Sequence, residues 1–568
     1  NGESKPAARV QFNKIGLYAQ DDWSIRDNFK LSYGVRFDGL FFNNKDLMTN
    51  QAIYDINTQY AYLDNLGNEQ LANHKWDIPS GATYVGEIVD KSIYNGRQID
   101  TGTWPKNSLI ISPRVGFTWD VFGDRTLKVR GGTGLFSGRL PLVFFTNMPT
   151  NGGMVQYQAQ LNSKNTDMSQ FAGGLVTDAN GKATIAALRD KIIGLGHPET
   201  ITPKEGAVPS SISGVDPKFK MPQEWKTSIA VDYKIPVSFP FTVTGEFIYK
   251  KTVNATTISD WSIPSVGGFA RFNGVDNRPI YPSNYQYTKS PAYVLTNTHL
   301  GYSYSGNITV NMAPCEGLNI MAAYTHTVSK ELTSLPGSDP ASIFNYVPTV
   351  AGPNYTTLHS AQNVTPDRVV ASVTHNDKSH NHFSFIYEAW RGGYNYSYML
   401  TNDMNGDNYK YDSLFIPTED QISSGDFRFV SQDDASRFMA FVNKDSYLSS
   451  HKGQYAEGYA VFSPWVHRVD FSYKHDFRVN VGKNTNTLQL SFDIKNLLNL
   501  FNSSWGVSKY MNPDLNSGRI LQYEGVDAQG YPTFSTPAAV SGATEIWKYS
   551  TGIGQCWYAS VGIKYMFN

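Results

Sequence analysis

Cysteine is nearly missing from this sequence. Cys315 and Cys556 are the only two in 568 residues, too few for a disulfide framework. Charge is also scarce. Asp, Glu, Lys and Arg make up 17% of the chain and leave a formal net charge of −1, so no global field points to nucleic acid or to an acidic partner. No run of about 18 apolar residues occurs, which excludes a membrane-spanning helix. It does not exclude a membrane crossed by strands, because barrel strands turn every second residue away from lipid. No signal peptide opens the chain. It begins Asn1-Gly2-Glu3-Ser4-Lys5-Pro6, which reads as the middle of a loop, so an exported protein would have its translated start upstream. Nucleophile-elbow, P-loop and HExxH patterns are missing too, and no enzyme activity is expected.

What the chain has is aromatic residues, 14% in all, with 35 Tyr and 32 Phe, in a strict two-residue period. Phe29, Leu31, Tyr33, Val35 and Phe37 alternate with Lys30, Ser32, Gly34 and Arg36. Leu488, Leu490, Phe492 and Ile494 alternate with Gln489, Ser491, Asp493 and Lys495. Thirteen such segments lie near 10–24, 29–41, 109–121, 126–138, 222–234, 239–251, 298–313, 318–329, 364–375, 381–400, 465–478, 486–500 and 556–567. They are longer than strands of soluble proteins, whose mode is about 5–6 residues, and long enough for a tilted membrane strand of about 9–11.

The connections alternate between short ones, such as 25–28, 122–125 and 235–240, and long ones, such as 42–108, 139–221 and 401–464. Short periplasmic turns and long extracellular loops make an outer-membrane barrel. The expected fold is therefore all-β, a transmembrane antiparallel barrel with apolar side chains toward lipid and polar ones toward the lumen. Single-chain bacterial barrels have even strand numbers. Thirteen is odd, so the whole of 1–568 is expected to be one part of a larger barrel, with the remainder supplied by the same precursor or by another chain.

Several stretches carry a family likeness. Ile15-Gly16-Leu17-Tyr18-Ala19-Gln20-Asp21-Asp22-Trp23 followed by Leu31-Ser32-Tyr33-Gly34-Val35-Arg36-Phe37-Asp38 resembles a hairpin of the TonB-dependent receptors and transporters. Ser112-Pro113-Arg114-Val115-Gly116-Phe117, with Arg130-Gly131-Gly132-Thr133-Gly134-Leu135-Phe136, resembles a hairpin of their Oar-like branch. Asp493-Ile494-Lys495-Asn496-Leu497-Leu498-Asn499-Leu500-Phe501-Asn502 is similar to the family's penultimate strand, and Phe567 stands close to the C-terminal aromatic. The resemblance implies a barrel of 22 strands around a plug, of which this chain would hold strands 10 to 22. It also implies partners: the N-terminal barrel and plug portion, the TonB–ExbB–ExbD complex acting through that plug, outer-membrane lipid and a surface lipoprotein. No nucleic acid is expected. The implied function is energised import of a large or scarce substrate; the alternative is a structural, adhesion or secretion-associated barrel that imports nothing.

Three local features invite chemistry. Asp403, Asn405 and Asp407 stand at positions 1, 3 and 5 of a calcium-type loop, with Gly406 allowing the tight turn and Tyr409 offering a carbonyl. Position 12 is Leu414, so Asp412 would have to complete the set around Ca²⁺. The resemblance adds that the Oar-like branch carries a similar loop. His375, His380 and His382 cluster at a short turn, where a solvated turn is expected rather than zinc. Tyr281–Tyr287 and Tyr394–Tyr398 place tyrosines among amides, a composition suited to stacking on sugars or peptide side chains, or simply to an aromatic girdle. The cysteines are expected not to pair.

Overall fold

The computed structural model describes residues 10–43, 47–55, 99–154, 167–171, 178–180, 184–196, 208–263, 269–281, 291–335, 337, 339–482 and 484–567. Thirteen strands run as a meander in chain order: β1 (Gln11–Arg26), β2 (Phe29–Asn43), β3 (Ser108–Asp120), β4 (Leu127–Ser137), β5 (Gln223–Lys234), β6 (Phe241–Asp260), β7 (Tyr302–Cys315), β8 (Leu318–Glu331), β9 (Asp367–Asn376), β10 (Asn381–Arg391), β11 (Val466–Val481), β12 (Asn484–Lys495) and β13 (Tyr558–Met566). Every neighbouring pair is antiparallel. Three short strands, Ile212–Val215, Ala292–Thr298 and His359–Ser360, join the same sheet off this path, making sixteen. Among the described residues β1 and β13 do not pair, so the sheet is open.

Each strand coincides with one of the thirteen alternating segments, and the differences are at their ends. The segment expected over 381–400 stops at Arg391, because Gly392 (φ +78°) and Gly393 (φ +97°) turn the chain out of the sheet in a conformation that suits glycine. The segment expected over 486–500 stops at Lys495, where Asn496 is left-handed (φ +53°) and a helical turn Leu497–Phe501 follows. β6 runs well past the expected 251, since its far end, Ala255–Asp260, pairs with Ala292–Thr298 beyond the sheet's main level.

Alternation separates two faces. Register places Ile320, Val373, Phe385, Phe471, Ile494 and Ala559 side by side across six strands. On this face large apolar side chains are bare, for example Ile308 (58% exposed) and Val561 (78%). Such a band is stable only against lipid. The other face is polar: Glu246, Asn307, Thr325 and Arg368 share one row, and Asn307 Nδ2 donates to Thr325 Oγ1 at 2.8 Å.

The protein's buried core lies in the long connections. One cluster gathers Phe272, Tyr398, Leu414, Phe438, Leu521 and Phe534 from three of them; a second gathers Trp104, Phe145, Phe269, Leu295 and Phe344. Helix α1 (Gln432–Lys444) shows why these segments fold. Ser431 caps it by accepting from Asp434 N at 3.1 Å, and Ala435, Phe438, Met439 and Val442 repeat at helical spacing toward the core. The loops are thus a folded cap above one end of the wall.

Candidate functional site

The cap is tied together at a buried guanidinium. Arg278 is wholly buried. Its Nε and Nη2 donate to the two oxygens of Asp276, each at 2.9 Å; Nη1 donates to Asp412 Oδ1 at 2.9 Å, and Nη2 to the Ser413 carbonyl at 2.8 Å. Tyr455 Oη donates to Asp276 Oδ1 at 2.8 Å. A desolvated charge is tolerable only when paired and hydrogen-bonded, and here it is. Sequence reasoning did not single out Arg278. It lies 134 residues from Asp412, and no periodicity signals a pairing at that distance.

The loop 403–412 sits against this knot. Asp403 Oδ1 and Oδ2 accept from Gly406 N and Asn408 N, both at 2.8 Å. Asn405 Oδ1 accepts from Asp407 N at 3.1 Å, and Asp407 Oδ1 from Tyr409 N at 2.8 Å. Gly406 (φ +79°) makes the tight turn that the spacing implied. Asp412 is used differently from the sequence expectation. Its Oδ1 is held by Arg278 and its Oδ2 accepts from Met404 N at 2.9 Å. Among the described residues no group of three or more acidic, histidine or cysteine side chains is arranged to hold a metal ion. As placed, side-chain oxygens of Asp403, Asn405 and Asp407 cap backbone N–H groups, and Asp412 is paired with Arg278.

Burial raises the carboxyls of this loop. Asp403 is raised by desolvation, and Asp407 well above the usual range by desolvation and by its neighbours Asp412 and Asp403. Burial pushes Asp412 up to about 7 against the pull of Arg278.

A cavity of about 650 Å³ opens beside the knot. Tyr346, Tyr394, Tyr396, Tyr411 and Tyr459 line it with Gln362, Asn363, Asn395 and Arg519. Of the 394–398 run, Tyr398 is fully buried and donates to Asp445 Oδ2 at 2.8 Å, a packing role. Tyr394 is 57% exposed and packs edge-on to Tyr396. Of the other run only Tyr281 is described; residues 282–290 lie outside the described residues.

The remaining sequence candidates are structural. His382 Nδ1 is 2.6 Å from Asn376 Oδ1 and Nε2 is 3.2 Å from Asp476 Oδ2, with His380 left-handed in the turn. Gly131–Gly134 lies inside β4, and both cysteines are free and exposed.

A meander of long strands with one lipid-compatible face, one polar face and all its large connections at one end is the wall of a membrane β-barrel. Residues 1–522 match the family model described as Outer membrane beta barrel domain, and the chain belongs to that family. It resides in the outer membrane, which it crosses with strands; among the described residues no helix is long and apolar enough to cross. The long-loop end is the extracellular one.

Solved structures give distant similarity. The outer membrane transporter YddB of Escherichia coli aligns at 11% identity and TM-score 0.41, over 97% of this chain and 45% of that one. The siderophore receptor PiuA of Acinetobacter baumannii aligns at 10% and 0.34, over 92% and 42%. The ferric enterobactin receptor PfeA of Pseudomonas aeruginosa, as a mutant, aligns at 9% and 0.39, over 98% and 45%. The chain spans less than half the length of these three. Comparison with curated proteins gives no match.

Proposed function

We propose that this chain is the wall and extracellular cap of a TonB-dependent transporter of the Oar-like type, importing a large or scarce substrate. The observation that carries the reading is the folded cap set over a polar wall: a tyrosine- and amide-lined cavity of about 650 Å³ stands above a lumen face built of Ser, Thr, Asn and paired charges. The hairpin and penultimate-strand motifs of the sequence support the family assignment. In this reading the remaining strands pair with the two open edges of the sheet, a plug fills the lumen, and TonB–ExbB–ExbD acts through the plug. A surface lipoprotein would dock on the cap. Substrate meets the cap first and then the lumen face.

Mass spectrometry of the protein purified from outer membranes tests this. A plug and a TonB-contacting peptide N-terminal to Asn1, on the same chain or co-purifying, are expected. A mature protein with neither overturns import and leaves a structural or adhesion role.

A further inference from the structure

Strand register assembles an uncompensated basic row on the lumen wall. Gly34 of β2 stands opposite Arg114 of β3, Arg114 opposite Gly134 of β4, Gly134 opposite Lys226 of β5, and Lys226 opposite Lys250 of β6. All point to the polar face, by the parity that sends Val115, Ile229 and Phe247 to lipid. Among the described residues none of the three cations forms an ion pair, and Arg114 only lies over the Phe136 ring, 4.5 Å from its centre. Glu224 shares the face two residues along β5 but pairs with none of them. Two other lumen cations are neutralised where they stand: Arg130 meets Asp232 at 3.3 Å and Glu246 at 3.7 Å, and Lys30 meets Asp22 at 3.4 Å.

Like charges directly opposite each other in a sheet destabilise it, so the bare row needs a reason. One lies just below. The next row toward the periplasm runs Ser32, Gly116, Gly132, Ser228, and there the wall is hollowed into a cavity of about 280 Å³ with Arg114 and Lys226 on its rim. The floor is backbone: a Cβ on Gly132 would stand 2.9 Å from the Val115 carbonyl. Ser32 donates to Asp22, which leaves the Ser228 hydroxyl with Arg114 and Lys226 around the recess as a seat for an oxyanion.

We propose that Arg114, Lys226 and Lys250 form an anion-binding station in the lumen that takes a carboxylate- or phosphate-bearing solute descending from the cap. The station refines the import reading by naming the charge class of the substrate. Its binding step is independent of energised transport. An acidic polypeptide segment lying across the wall is the rival occupant. The small recess between Arg114 and Lys226 favours the compact anion.

The test uses the protein as isolated from outer membranes in detergent, titrated calorimetrically with tricarballylate, pyrophosphate and an oligoglutamate peptide. Saturable binding of one of the two small anions is expected. It should weaken with salt and fall by about tenfold or more in R114Q/K226Q, the loss of charge-assisted contacts. K128Q, a lumen lysine elsewhere in β4, should bind as wild type. The double variant removes repulsion, so its thermal midpoint should equal or exceed wild type. Binding of tricarballylate alone would mark a carboxylate ligand, and binding of pyrophosphate alone a phosphate one. Binding of oligoglutamate only, no binding at all, or equal weakening by K128Q overturns the station. If anion binding holds while the purified protein carries no plug or TonB-contacting peptide, the import reading fails and the station survives.

Discussion

Arg278 is the residue on which the cap's polar interior depends. Removing it would strand Asp276 and Asp412, 1% exposed each, without their cation. Breaking one partner of a buried pair costs about 3–5 kcal/mol. Arg278→Met should therefore loosen the cap by that amount, read as faster amide exchange over 398–461, while the wall strands keep their protection. Asp407 behaves oppositely. Its carboxyl is raised well above the ordinary 3.8 by burial and by Asp412 and Asp403. A raised folded pKa means the folded cap holds the proton more tightly than the unfolded chain does. That advantage is complete below about 3.8 and is lost as pH rises toward the folded value; for Asp412, also raised, that value is about 7. Cap stability should thus fall between pH 4 and 7, and Asp407→Asn should flatten the fall and stabilise the cap at pH 8. Calcium gives the opposite sign. If the loop held Ca²⁺, saturating metal would protect the cap by about 2.7 kcal/mol at a hundredfold excess over Kd, and Asp407→Asn would weaken it. No protection by added calcium is the expected result.

At the scale of elements, the strands were legible and the cap was not, for one physical reason. A wall strand between lipid and lumen must alternate over its whole length, so Phe29–Phe37 or Leu488–Ile494 shows its fold locally. Cap residues answer to partners far along the chain. Phe272 packs with Phe534 in one cluster, and no local period announces it. Strand ends fall between these cases, since Gly392-Gly393 could have been read as an exit and Asn496 could not. The candidate site was half legible. The turn around Gly406 was; the diversion of Asp412 to Arg278 was not. The face assignment itself can be tested. Phe471 faces lipid in a row with Phe385 and Ile494, and Ser472 beside it faces the lumen. Phe471→Arg should destabilise the folded barrel by about 2–4 kcal/mol if it lies near the bilayer midplane. Ser472→Arg should change it far less. Equal effects in urea titrations from lipid vesicles would contradict the assigned parity.

For the molecule as a whole, the outer edges of the sheet set the conditions under which it can exist. β1 spans 16 residues and β13 spans 9, and among the described residues neither has a neighbour on its outer side. About half of each strand's N–H and C=O groups point outward from such an edge. In hydrocarbon every unsatisfied group costs several kcal/mol, far more than a protein's net stability of about 5–15 kcal/mol can absorb. β1 is also apolar on the lipid side, with Ile15 59% and Leu17 69% exposed, so charge does not shield it. Residues 1–568 produced alone should therefore associate through β1 and β13 when folded into detergent, giving dimers or larger assemblies by light scattering. If further strands complete the wall, as proposed above, the same chain folded with them should give one closed, monodisperse barrel. Proline at Tyr18 and Gln20, whose N–H groups face the open side, should reduce the self-association, because proline cannot donate along an edge. A monodisperse monomer formed by 1–568 alone would show that β1 and β13 close on each other, and that the wall needs no further strands.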